Sequence, residues 1–558
     1  MVEPTIDPQL PKSPTNGAGS PAAPAQQSDR DFPDKLDAGV LRITGVCALA
    51  RMMGVLDLTM VAVAQRTFIV KFESNQTVVA WTLTAYALAL VTAIPLAGWA
   101  ADRFGTKRLF MGSVLAFTLG SLLCVMAPNI TLLIACRVIQ GFAYGIFGPL
   151  NYIVLTRAAG PRRVGRLIAL MLLPAYLGPI CGPILGGWLI DSFGWQWIFL
   201  VNLPIGVTAA ALAGIVFPKD HSSASAAFDF VGMLLLSPGL ALFLLGVSAI
   251  PGRGKVTDAH VGLPVSIGLV LIAGFVLHAL HRTAHPLIDL RLLTNRVVSL
   301  ANVAAFLLYV AFVGVVLFLP SSFQQVFHQS PLQSGLSAAP LGIGAMVIVP
   351  IAGRFADKRG PAPVVLTGIT LSALGLGTFA FGVFVHAPYA SILLTGLVIA
   401  GFGMGSAVPP LSAAVMGALR SDQVARGSTM LTVNLQVANS VGAALFSVIA
   451  SSQFNRSAYI TAANKLAILQ HAAAQRGVPL DPSAIPPQVH APDFASTVLH
   501  DLSHAYAVVF AVTVLVATLA YIPVALLLKK KPTDGIEPAG TTSQPASSRS
   551  AAHSPPDR

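Results

Sequence analysis

Long apolar runs, separated by short charged connections, constrain this chain more than any other feature. Such runs lie near 41–65, 79–101, 109–127, 131–156, 165–190, 197–217, 229–250, 261–281, 297–320, 335–356, 363–385, 389–417, 427–451 and 504–528. A helix needs about 20 apolar residues to cross the hydrocarbon core of a bilayer. In lipid every backbone amide must be satisfied internally, so the choice is between helices and closed barrels. Barrels read as alternating ten-residue strands, and no such alternation is present. The expectation is an all-α polytopic membrane protein of fourteen spans. Soluble domains carry roughly 25% charged residues, whereas this chain has 10% charged, 54% hydrophobic and a mean hydropathy of +0.74.

The net charge of +12 does not point to nucleic acid, because the basic residues sit between the apolar runs, as topogenic charge does. With the N-terminus placed inside, the inner connections hold Arg103, Lys107 and Arg108, then Arg157, Arg162, Arg163 and Arg166, then Arg354, Lys358 and Arg359. Outer connections are sparser in Lys and Arg. The bias predicts that both ends are cytoplasmic, in a multi-pass protein of the plasma membrane. Residues 1–40 and 529–558 read as disordered cytoplasmic tails, rich in small polar residues and proline. The longest loop, 452–503, falls outside and contains a short helical pattern from Ala458 to Ala474.

Cys47, Cys124, Cys136 and Cys181 all lie within apolar runs, and no disulfide framework or metal-ligand spacing is readable. His278 and His281 are spaced as i and i+3, with no carboxylate beside them in the span. No metal, no cofactor and no enzyme chemistry is expected. No residue pattern speaks for or against a periplasmic adaptor protein.

The first run carries a carboxylate, Asp57, near its middle. A charged aspartate at bilayer depth costs about 2.5–3.5 kcal/mol on insertion scales. It therefore faces a bundle interior or a wet cavity. There it either exchanges a proton or serves as a polar tether between helices. Arg137 lies in the fourth run, too deep to snorkel freely, and Asp57 is the nearest carboxylate by depth. Arg137 either pairs with Asp57 or bonds backbone carbonyls.

A repeat joins distant parts of the chain. Gly98-Trp-Ala-Ala-Asp102-Arg-Phe-Gly105 closes the second run, and Gly353-Arg-Phe-Ala-Asp357-Lys-Arg-Gly360 closes the tenth. Both read Gly-x-x-x-Asp-x-x-Gly and run into basic residues, Arg103 and Arg108 in the first copy. Two copies at corresponding places imply two parallel six-span blocks, 41–217 and 297–528, with 218–296 as an insert of two spans. Transporters with such halves bind substrate between them near the midplane. The repeated loops act either as a gate or as a fixed staple.

These loops resemble the signature of the major facilitator superfamily. Arg137-Val-Ile-Gln140-Gly141 is similar to that superfamily's second motif. Gly178-Pro179-Ile-Cys-Gly182-Pro183-Ile-Leu-Gly186-Gly187 is similar to its antiporter motif. Leu56-Asp57-Leu-Thr59, together with Trp195-Gln-Trp197-Ile-Phe-Leu-Val-Asn202-Leu-Pro204-Ile-Gly206, resembles the fourteen-span drug:proton antiporters of the EmrB/QacA type. The resemblance covers about 41–530. It implies proton-driven export of lipophilic, often cationic, small molecules. It also implies that Asp57 is the proton-linked carboxylate and Arg137 its electrostatic partner. Gly178, Gly182 and Gly186 recur every four residues and line one helix face, which serves tight packing, bending or both.

Arg51 is unusual for that family, and Leu435 stands where an arginine is common. Six residues separate Arg51 from Asp57, about 120° around a helix, so they do not share a face. Arg51 points to another helix, to the inner headgroups or into the cavity, and the last would favour an anionic or zwitterionic substrate. The tenth run has no acid in its apolar part, which argues against divalent cations and favours monovalent cationic or neutral compounds. Gln140, Asn434, Gln436 and Asn439 are further candidate cavity residues, with interhelical hydrogen bonding as the other reading for the last three. A dedicated exporter or importer of one metabolite or lipid, using the same mechanism, is the alternative function.

Overall fold

The computed structural model describes residues 37–74, 76–159, 163–219, 228–253, 258–281, 286–420, 423–476 and 484–528. Residues 1–36 and 529–558 of the two predicted tails and Arg162 lie outside them, whereas residues 37–40, predicted as the end of the N-terminal tail, are the cap and first residues of a helix. The side chains of Pro179 and Pro183 also lie outside, although the backbone there is helical. No strand occurs among the described residues.

The helices are α1 (Ala38–Lys71), α2 (Gln76–Phe104), α3 (Thr106–Val125), α4 (Ile130–Ala159), α5 (Val164–Phe193), α6 (Trp197–Leu200), α7 (Asn202–Val216), α8 (Phe230–Arg253) and α9 (Ala259–His281). The series continues with α10 (Arg296–Val326), α11 (Pro331–Arg359), α12 (Pro361–Phe384), α13 (Leu394–Gly417), α14 (Val424–Arg456), α15 (Ala458–Arg476), α16 (Phe494–Leu519) and α17 (Tyr521–Leu528). Thirteen spans among the described residues are long and apolar enough to cross a membrane. The run at 165–190 is α5, whose described apolar stretches are Val164–Gly178 and Ile184–Phe193. The helical pattern within the long loop is α15, which packs on α14 and α16.

Local chemistry sets the ends. Asp37 caps α1 by accepting from the Val40 amide at 2.8 Å. Ser330 and Gln333 form a reciprocal capping box ahead of α11. Gly105 and Gly360 link α2 to α3 and α11 to α12 with φ of 86° and 84°. That backbone region is closed to residues with a Cβ, so both loops of the repeat require glycine at its last position.

Two sets of helices emerge from the contacts. In one, α1 packs on α5 and α7, α2 on α4, and α3 on α4 and α7. In the other, α10 packs on α14 and α16, α11 on α13, and α12 on α13 and α16. Across the seam, α5 meets α11 and α13, while α2 and α4 meet α14. The pair α8–α9 leans on both sets, since α8 touches α2 and α14. Its Ser237 hydroxyl donates to the Thr92 carbonyl at 2.9 Å. Large apolar side chains such as Leu119, Ile215, Val270 and Leu374 point outward, as lipid-facing positions of a spanning helix do.

Candidate functional site

Asp57 and Arg137 are both fully buried, at 0% exposure, and form an ion pair of 2.5 Å between Arg137 Nη1 and Asp57 Oδ2. α1 carries the acid and α4 the base. The second carboxylate oxygen accepts from Asn202 Nδ2 of α7 at 2.9 Å and, more weakly, from Gln140 Nε2 at 3.4 Å. Arg137 Nη1 also donates to Gln140 Oε1 at 2.8 Å, and its Nε to the Thr82 carbonyl of α2 at 3.1 Å. The guanidinium lies over the Tyr86 ring, 4.2 Å from its centroid. Ser121 and Cys124 of α3 complete the set: Ser121 Oγ accepts from Gln140 Nε2 at 2.6 Å, and Cys124 Sγ contacts Gln140 Oε1 at 3.2 Å.

Five helices thus converge on one buried charge pair. A charge removed from water is tolerable only when paired and hydrogen-bonded, and this network supplies both. Arg137 Nη2 is the one guanidinium nitrogen here left buried without a partner.

Gln140, a candidate cavity residue by sequence, is 0% exposed inside the first helix set. One turn beyond Arg137, it faces the same way into α3 and the acid. Asn202 and Ser121 were not singled out as site residues. Asn202 stood within a recognised motif, but neither periodicity nor charge marks a neutral amide as the partner of an acid 145 positions away.

α5 covers the opposite side of the Asp57 turn. A side chain on Gly178 would collide with Val55, and one on Gly182 with Thr59. At Gly186 a Cβ would lie 3.1 Å from the Met60 side chain. The four-residue glycine stripe therefore lets α5 lie directly on α1. Gly187 faces away from this contact, with open space where a Cβ would stand.

The repeated loops sit at equivalent seams. Asp102 accepts from Arg157 of α4 at 3.1 Å, and Asp357 accepts from Arg166 of α5 at 3.1 Å, the latter across the two sets. Gly98 abuts α14, where a Cβ would sit 2.9 Å from Thr429 Oγ1. Gly353 abuts α5, where a Cβ would sit 3.1 Å from the Arg166 Cα. Each motif thus presses on a helix of the other set. Arg103 and Arg108, expected in the gate with Asp102, are exposed and line a lateral cleft of about 730 Å³ between α3 and α4.

The remaining candidates separate. Asn434 Nδ2 donates to the Asn302 carbonyl of α10 at 2.9 Å and ties α14 to α10. Gln436 and Asn439 are half-buried on α14. Arg51 is half-buried, and its Nε is buried without a hydrogen-bond partner. His278 does have a carboxylate, Asp229, 2.9 Å away. It comes from the connection before α8, outside the span that carries His278. No cluster of three or more potential metal ligands occurs among the described residues.

The family model described as Major Facilitator Superfamily matches residues 47–443 and 301–556. This chain belongs to that superfamily. Within it the chain is of the EmrB type. The Multidrug resistance protein B homolog of Mycobacterium tuberculosis (strain ATCC 25618 / H37Rv) is 55% identical over 512 residues, 92% of this chain and 94% of that protein. Multidrug export protein EmrB of Escherichia coli (strain K12) is 29% identical over 417 residues, 73% of this chain and 80% of that protein. Among solved structures, the proton:xylose symporter XylE superposes with a TM-score of 0.55 at 12% identity, over 87% of this chain and 94% of that one. At that identity the likeness is one of fold. This major facilitator chain is a multi-pass membrane protein of the cell membrane and a transporter.

Proposed function

We propose that this protein is a proton-coupled antiporter that exports lipophilic compounds, with Asp57 as the group that takes up and releases the proton. The observation that carries the reading is the fully buried Asp57–Arg137 pair and its ring of neutral donors. Such a pair is stable only while the acid is charged. Protonating Asp57 leaves Arg137 as an uncompensated buried cation, which favours any conformation that rehydrates it. Proton binding thereby biases the equilibrium between two arrangements of the helix sets. The names of the relatives, multidrug resistance and multidrug export proteins, support the export of varied small molecules.

In this reading the halves 41–217 and 297–528 rock about the seam of α5 with α11 and α2 with α14, and residues 218–296 ride along. Both ends of the chain lie in the cytoplasm. The loops at Asp102 and Asp357 hold the cytoplasmic side closed in the conformation described here, and substrate binds between the halves. The partners are protons, lipid and a lipophilic small molecule.

The experiment is transport in proteoliposomes containing the full chain, under an imposed pH gradient, with lipophilic dyes as substrates. Asp57→Asn is expected to abolish gradient-driven dye movement and dye-driven proton movement while the protein stays folded. Undiminished exchange in that variant removes Asp57 from the mechanism.

A further inference from the structure

The lateral cleft between α3 and α4 lies apart from both the Asp57 network and the seam. Its volume of about 730 Å³ falls within the roughly 300–1,000 Å³ typical of small-molecule sites. Small residues create it. Gly112, Ser113 and Ala116 form its face on α3, and a Cβ added at Gly112 would meet nothing within 4 Å. Val138, Phe142 and Ile146 line it from α4, and the first two are exposed.

The lining of α3 runs from Arg108 to Ala116 and that of α4 from Val138 to Ile146. Each stretch is about 12 Å of helix. One leaflet's share of the hydrocarbon core is about 15 Å, so the cleft is long enough to hold most of an acyl chain. Charge gathers at one end of it. Arg103 and Arg108 line the cleft where α2 turns into α3. Beside them Lys107 Nζ donates to the Phe217 carbonyl at 3.1 Å, and the acid Asp102 accepts from Arg157 at 3.1 Å. The far end, at Ala116 and Val138, is lined by apolar side chains.

An apolar trough with a cationic mouth matches a molecule built the same way, with a hydrocarbon chain and an anionic head. Guanidinium groups pair well with phosphate oxygens, and basic pockets between helices on the cytoplasmic side take anionic headgroups. A free phosphate would leave the trough unfilled, and a cationic lipophile would meet like charge at the mouth. We infer that the α3–α4 cleft is a binding site for an anionic phospholipid of the inner leaflet. Its phosphate lies on Arg103 and Arg108, and one acyl chain runs along Gly112 and Phe142. The choice of leaflet rests on the cytoplasmic placement of both chain ends. The site itself depends neither on that placement nor on proton coupling.

The test is native mass spectrometry of the delipidated full-length protein in detergent, titrated with dioleoylphosphatidylglycerol or with dioleoylphosphatidylcholine. Each arginine at an anionic headgroup is expected to add about fivefold in affinity. Wild type should therefore bind its first phosphatidylglycerol about tenfold or more tighter than phosphatidylcholine. Arg103→Gln/Arg108→Gln should bring phosphatidylglycerol down to the phosphatidylcholine level. Gly112→Phe fills the trough and keeps both charges, and it should weaken phosphatidylglycerol binding severalfold. Gly377→Phe on α12, which also enters open space, should leave binding unchanged. Equal affinity of wild type for the two lipids overturns the proposal, because the cleft then holds ordinary boundary lipid. A preference that survives in the folded double variant overturns it too, as does a loss in Gly377→Phe equal to that in Gly112→Phe. If the double variant does not fold, an unchanged preference in Arg108→Gln overturns it.

Discussion

At the scale of single residues, charge in a place without water dominates. Removing Arg137 leaves Asp57 buried without its cation, so Arg137→Ala is expected to destabilise the protein by about 3–5 kcal/mol. Thermal unfolding in detergent measures this. The double variant Asp57→Asn/Arg137→Gln replaces the ion pair with neutral amides of similar shape. It should recover most of that stability without recovering gradient-driven transport. A double variant that transports like wild type would show that the pair is only a tether. The sequence made Asp57 and Arg137 conspicuous because ionisable residues are rare in apolar runs. Asn202 and Ser121 were inconspicuous because neutral polar residues are common in membrane helices, and only the packing of α3 and α7 brings them to the acid.

At the scale of elements, small residues decide how closely helices lie. Gly182 has no room for a side chain against Thr59, whereas Gly187 faces open space. Gly182→Leu is expected to lose roughly 1–3 kcal/mol or more through overpacking of α1 against α5. Gly187→Leu should leave the folded yield near wild type. Size-exclusion profiles and melting curves of the two variants make the comparison. The stripe was legible as one helix face from its four-residue spacing, but that spacing did not say which helix it met. A second prediction concerns the ion pair between α5 and α11. Asp357→Asn should reduce transport severalfold by loosening the closed side, and the swap Asp357→Arg/Arg166→Asp should restore part of it. Equal activity in all three proteins would assign the pair to the surface, where such contacts contribute little.

At the scale of the whole molecule, two helix sets meet along a seam that must open. Residue 417 of α13 faces Val164 of α5 across it, with a Cβ at Gly417 placed 3.8 Å from the Val164 side chain. The atom met is Val164 Cγ1, so the two Cβ atoms lie more than 4 Å apart, toward the upper end of the roughly 3.5–4.5 Å that a disulfide spans. In a background without the four native cysteines, oxidised Val164→Cys/Gly417→Cys is expected to be folded and inactive in transport. Reduction should restore activity. Full transport in the cross-linked protein would exclude rocking about this seam.

The sequence by itself determined the class of solvent, the helical architecture and the repeated glycine-aspartate loops. Those properties follow from composition, run length and spacing along one chain, because lipid leaves helices as the open option and positive φ demands glycine. It also marked the buried ionisable residues, since charge in an apolar run is visible without neighbours. Tertiary structure alone decided what those groups face. Gln140 reaches the acid, Asp102 accepts from Arg157 of α4, and Asn202 comes from α7 to the second carboxylate oxygen. Contacts across α1, α2, α4 and α7 depend on the relative rotation of packed helices. A linear pattern of residues fixes the face of each helix and leaves its partner open.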